Sequence, residues 1–94
     1  MNRAVAEEVL EQELTKLLDW GHKRLCRQIG ADPIVNIING PDKKPYIVEI
    51  SAYWDGPENG PVRLIAMIDD GGWPAFLLPL TADCVVDTNW QPTD

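Results

Sequence analysis

The sequence predicts an α+β domain in which a long N-terminal amphipathic helix packs on an antiparallel meander of about four strands, forming a two-layer sandwich. Three observations carry this. Leucines and isoleucine recur at helical spacing through residues 3–29, the apolar period beyond Pro33 shortens to two or to continuous runs, and short connections rich in Gly, Pro, Asn and Asp separate those runs. At 94 residues, 45% of them hydrophobic and 24% charged, the chain suits a single folded domain, 1–94. A core of this size leaves little room for a deep cavity, so a functional site is expected in a groove, on a sheet face or at a subunit boundary.

The helix is read from Leu10, Leu14, Leu17, Leu18, Gly21, Leu25 and Ile29, which fall on one stripe of a 3.6-residue helix. Asn2 can cap its start, Glu7 and Glu8 suit the positive end of the helix dipole, and Arg24 and Arg27 suit the negative end. Gly30 followed by Asp32-Pro33 is the stop signal. Gly21 is the weak point, because glycine costs about 1 kcal/mol relative to alanine in a helix interior. It either bends the helix or lets a neighbour approach closely.

The strand-rich part, 34–86, divides into Ile34–Ile38, Tyr46–Trp54, Val62–Asp69 and Ala75–Leu80, the last broken by Pro79. Asn39-Gly40-Pro41-Asp42, the segment from Asp55 to Pro61, and Asp70-Gly71-Gly72 supply the turns. Short consecutive connections imply antiparallel neighbours. Thr81–Val86 fits either a short helix capped by Thr81 or a fifth, edge strand. Residues 87–94 read as a polar tail whose one large ring, Trp90, would gain order by docking.

Fifteen acidic against eight basic residues give a net charge of −7. Residues 1–30 are neutral, and the whole excess lies in 31–94, where Lys43, Lys44 and Arg63 face ten acids. Such a surface repels phosphate, so nucleic acid and anionic membrane are excluded as partners. A basic protein partner or simple solubility suits the charge. The acids in MNRAVAEEVLEQE are incompatible with a signal-peptide core, and no apolar run is long enough to span a bilayer, so a cytoplasmic, reduced protein is expected. Cys26 and Cys84 are then small buried hydrophobes.

No phosphate loop, dinucleotide fingerprint, nucleophile elbow or zinc spacing occurs. His22 and Cys26 share a helix face, but two ligands do not make a metal site, and a Cys-His nucleophile needs a third group to orient the base. No catalytic residue, metal site or cofactor is therefore assigned. On the second strand Tyr46, Val48, Ile50, Ala52 and Trp54 share the core-facing parity. Glu49, Ser51 and Tyr53 line the opposite face with Arg63 of the next strand, where Glu49 and Arg63 would form a cross-strand pair. His22, Glu49, Tyr53 and Arg63 are the candidate ligand contacts.

Four tryptophans must each bury a ring or mark a contact. Trp73, beside Pro74, would cover an end of the core. On a straight helix Trp20 points away from the leucine stripe with Val5 and Val9, forming an interface patch; a bend at Gly21 would instead return it to the core. Ile65 and Met67 share a parity with Arg63, and Val35 and Ile37 repeat the pattern, so both sheet faces contain apolar residues that one helix cannot cover. Val5, Val9, Trp20, Ile65 and Met67 are thus the candidate interface residues. The functional expectation is a small acidic interaction protein without catalytic activity, a homodimer or the binder of a basic protein. The alternative is a small-molecule binding or catalytic domain with a shallow groove between helix and sheet.

Overall fold

A computed structural model describes residues 3–69 and 80–90 of the chain. Two helices, α1 (Arg3–Leu18) and α2 (Gly21–Cys26), precede four strands, β1 (Ile34–Asn39), β2 (Pro45–Trp54), β3 (Val62–Asp69) and β4 (Leu80–Val86). The strands pair antiparallel in the order β1-β2-β3-β4. Helix α1 packs across β4, β3 and β2, so the architecture is the α+β arrangement read from the sequence.

The single helix expected over 3–29 is instead two. The N–H groups of Asp19 and Trp20 donate to the carbonyls of Lys16 and Leu17 at 3.3 and 3.0 Å, tightening the last turn of α1 into 3₁₀ geometry. Gly21 follows at φ +77°, a left-handed conformation that side chains bearing a Cβ resist and no helix continues through. The chain restarts as the six-residue α2, runs on in single turns, and leaves through Gly30 at φ +83°.

Because α1 shares no axis with Leu25 and Ile29, it is free to rotate about its own. Its buried face is Ala6, Val9, Leu10, Glu13, Leu14 and Leu17, at spacings of three and four, displaced from the leucine stripe toward Val9. The outer-face placement of Val5 and Val9 is therefore corrected: Val9 is 2% exposed in the core, and Val5 packs half-buried against it. Of the two readings of Trp20, the one with a bend at Gly21 holds and the outer-face one does not: the break returns it to the edge of the core, with the Arg24 guanidinium 3.9 Å above its ring.

One residue closes the break. The Trp90 indole N–H donates to the Leu18 carbonyl at 2.7 Å, and the His22 N–H donates to the Trp90 carbonyl at 3.3 Å. A helix end leaves carbonyls without partners and a helix start leaves N–H groups without them, so Trp90 satisfies one of each.

The segment 81–86 is strand, not helix. Leu80, Ala82, Cys84 and Val86 pair with Ile68, Ala66, Leu64 and Val62, so β4 takes the fourth place in the meander. Of the strand expected at 75–80, residues 75–79 lie outside the described residues, as does Trp73.

The core lies between α1 and the inner face of the sheet. Tyr46, Val48, Ile50 and Ala52 of β2 and Val62, Leu64, Ala66 and Ile68 of β3 alternate inward and are buried. Cys26 and Cys84, expected as buried, are half-buried at its margin. Among the described residues Glu13 is the one buried charged side chain, only 4% exposed, with Lys16 Nζ at 2.6 Å and Asn36 Nδ2 of β1 at 3.4 Å. At the β1–β2 turn the buried Tyr46 donates its hydroxyl to Asp42 at 2.7 Å. That hydrogen bond is the main reason the Asp42 carboxyl lies below its ordinary range. Among the described residues no helix is long and apolar enough to cross a membrane.

Candidate functional site

The outer face of the sheet carries the other parity of each strand. The registers set Ile37 beside Ile47 and Asp69; Val35 beside Glu49, Met67 and Thr81; Ser51 beside Ile65 and Asp83; and Tyr53 beside Arg63 and Val85. Apolar side chains thus occur in every row. Among the described residues no helix packs on this face, and Ile37 is 73% exposed, Val35 58% and Tyr53 51%, with Ile47 and Val85 exposed as well. Ile65 and Met67 are half-buried on the central strand β3. Scattered exposed aliphatics are ordinary, but apolar side chains in every row of one sheet face are the anatomy of a contact surface.

The charges on this face are arranged unevenly. Arg63 Nε donates to Asp55 Oδ1 at 3.0 Å, Nη2 lies 2.8 Å from the same oxygen, and Nη1 pairs with Asp83. The Asp55 hydrogen bond, with the charges of both acids, pushes the guanidinium pKa up, so it stays a cation shared between two carboxylates. The expected Glu49–Arg63 pair does not form. Glu49 lies opposite Met67, while Arg63 lies opposite Tyr53, four residues further along β3 or about 13 Å at a strand rise of 3.3 Å. Glu49 is half-buried, and among the described residues no hydrogen bond or ion pair reaches it.

His22 stands on the other side of the sheet. Its Nε2 lies 2.8 Å from the Gly60 carbonyl, which can only accept, so Nε2 carries the proton. Cys26 Sγ is 3.6 Å from Nδ1 and 3.5 Å from Nε2. A point equally distant from both nitrogens lies off the lone-pair axis of each, so the thiol is packed beside the ring without an in-line path for its proton. For Cys84, burial, helped by the Asp83 charge, pushes the thiol up and away from the reactive thiolate. Among the described residues no three His, Cys, Asp or Glu side chains converge on a possible metal position.

Glu49, Tyr53, Arg63, Ile65 and Met67 are therefore brought together on the outer face; His22, Val5, Val9 and Trp20 are not among them. The groove imagined between helix and sheet is not assembled from His22, Glu49 and Tyr53, which lie on opposite sides. A concavity of about 380 Å³ occurs elsewhere, beside Trp90, between Leu18 and the end of β4. Ile47 and Val85 join the outer face without having been singled out as contacts. Ile47 was legible from the parity of Glu49, whereas Val85 depended on 81–86 being a strand. Glu13 had no signal beyond its spacing from Val9 and Leu10. Compared with known protein families, with curated proteins and with solved structures, the chain shows no significant match, and the reading of its surface rests on its own residues.

Proposed function

We propose that the chain is a non-catalytic interaction protein that binds another polypeptide through the outer face of its sheet. The observation that carries this reading is the exposure of Ile37, Val35, Ile47, Tyr53 and Val85 on one face of the sheet. The charge of the strand-rich part would steer a basic partner toward that surface. The two free thiols, Cys26 and Cys84, suit a reducing, cytoplasmic setting.

Ile37→Asp tests the surface, since the side chain is exposed and its replacement leaves the core untouched. Solution mass by light scattering and capture from cell extract are compared for the wild type and this variant. A polypeptide held by the wild type and released by a variant with an unchanged circular dichroism spectrum supports the reading, whether it is a second copy or another chain. Identical masses and identical captured proteins would remove the outer face from consideration.

A further inference from the structure

We infer that the outer face is shaped for an amphipathic helix carrying one lysine or arginine at its centre, with Glu49 as the anion that receives it. This rests on the docking surface proposed above and names its occupant. Glu49 sits on an inner strand, with Ile47 and Ser51 on either side along β2 and Val35 and Met67 across the ladder. None of these neighbours donates a proton to a carboxylate from its side chain except the Ser51 hydroxyl, and no bond from it is made. The one guanidinium on the face, Arg63, is already shared by Asp55 and Asp83.

Whatever covers the face takes water from the Glu49 carboxylate, and an apolar cover would leave a charge without a partner. A second copy supplies the wrong sign. Its matching face brings a second Glu49 while each Arg63 is already engaged by Asp55 and Asp83, so a two-fold contact centred on Glu49 sets acid near acid. The occupant must therefore bring its own cation within an apolar surface.

Its size follows from the sheet. Four strands span about 19 Å at 4.8 Å each. On the inner face the 16-residue helix α1, about 24 Å long at 1.5 Å per residue, crosses β4, β3 and β2. One helix of similar length fits the outer face, with the basic side chain over Glu49 and aliphatic side chains over Ile37, Met67 and Ile65.

The test is selection of binders from a displayed library of 16-residue helical peptides, run on the full chain and on Glu49→Lys. Wild-type selection is expected to enrich lysine or arginine at one central position flanked by apolar residues at i±3 and i±4. Selection on Glu49→Lys is expected to enrich aspartate or glutamate there. Replacing the selected basic residue by glutamine should weaken binding at least about tenfold on the wild type and far less on Glu49→Gln. Binders that Ile37→Asp abolishes but that lack the basic position would overturn the named occupant and leave the docking surface standing. Binders indifferent to Ile37→Asp, or no binders at all, would overturn both. A dimer dispersed by Ile37→Asp and tightened by Glu49→Gln would replace the helix with a second copy.

Discussion

The two faces of the sheet are made from the same strands and differ in what their carboxylates meet. On the inner side Glu13 is almost fully buried, and Lys16 and Asn36 reach it. On the outer side Glu49 is half-buried amid aliphatic neighbours, and among the described residues no hydrogen bond or ion pair reaches it. The covered face shows how this fold accommodates an acid beneath a helix: a cation from the helix itself stands over it. The outer face has the acid and the apolar surround, but among the described residues no helix brings it a cation.

The comparison breaks first if the two faces carry equal stability. Leu64→Ala, on the inner parity of β3, is expected to cost about 2–5 kcal/mol, the usual range for an aliphatic truncation in a closed core. Ile65→Ala, one residue on and pointing outward, should cost well under half of that in the same urea titration. Similar values would mean that the outer face is packed in solution by something that stabilises the free chain.

Next comes the covered carboxylate. Lys16→Met leaves Glu13 buried with only the long Asn36 contact, and a loss of about 1–3 kcal/mol is expected. Glu13→Met removes charge and partner need together and should be closer to neutral. If the two substitutions cost the same, Lys16 does not neutralise Glu13, and the likeness drawn between the two glutamates fails.

The smallest expected effect concerns pH. Asp42 titrates below its ordinary value of 3.8 because Tyr46 donates to it. The group binds its proton less readily folded than unfolded, so its stabilisation is complete above the unfolded value and is lost as pH falls through the folded one. Denaturation of wild type and Tyr46→Phe should therefore differ most near neutrality and converge in strong acid. A constant difference across that range would assign the loss to packing of the ring rather than to the hydroxyl.

Much of this arrangement was legible in the sequence. Alternation placed Tyr46, Val48, Ile50 and Ala52 inward and Glu49 and Tyr53 outward, because side-chain direction in a strand has a period of two whatever the partner strand does. Register was not legible. Parity puts Glu49 and Arg63 on one face, but only the closed turn from Asp55 to Pro61, with the Asp55 N–H donating to the Pro61 carbonyl at 2.8 Å, fixes Arg63 opposite Tyr53. The helix break was half-legible: Gly21 marked the place, yet the apolar spacing runs on unbroken through Ile29, and periodicity does not register a change of axis. The strand at 80–86 is decided by its ladder with β3, since Thr, Ala, Asp and Cys in so short a run leave local preference undecided.

The indole bond from Trp90 joins it to a carbonyl 72 positions earlier in the chain. A contact of that span closes a loop containing the whole sheet, and the entropy of closure is smallest once the hairpins have already drawn the ends together. The clasp across the two helices is then expected to close late in the order of assembly. A ribosome that has released β1 to β3 has issued every residue of both helices, but the clasp that locks their bend arrives only after β4.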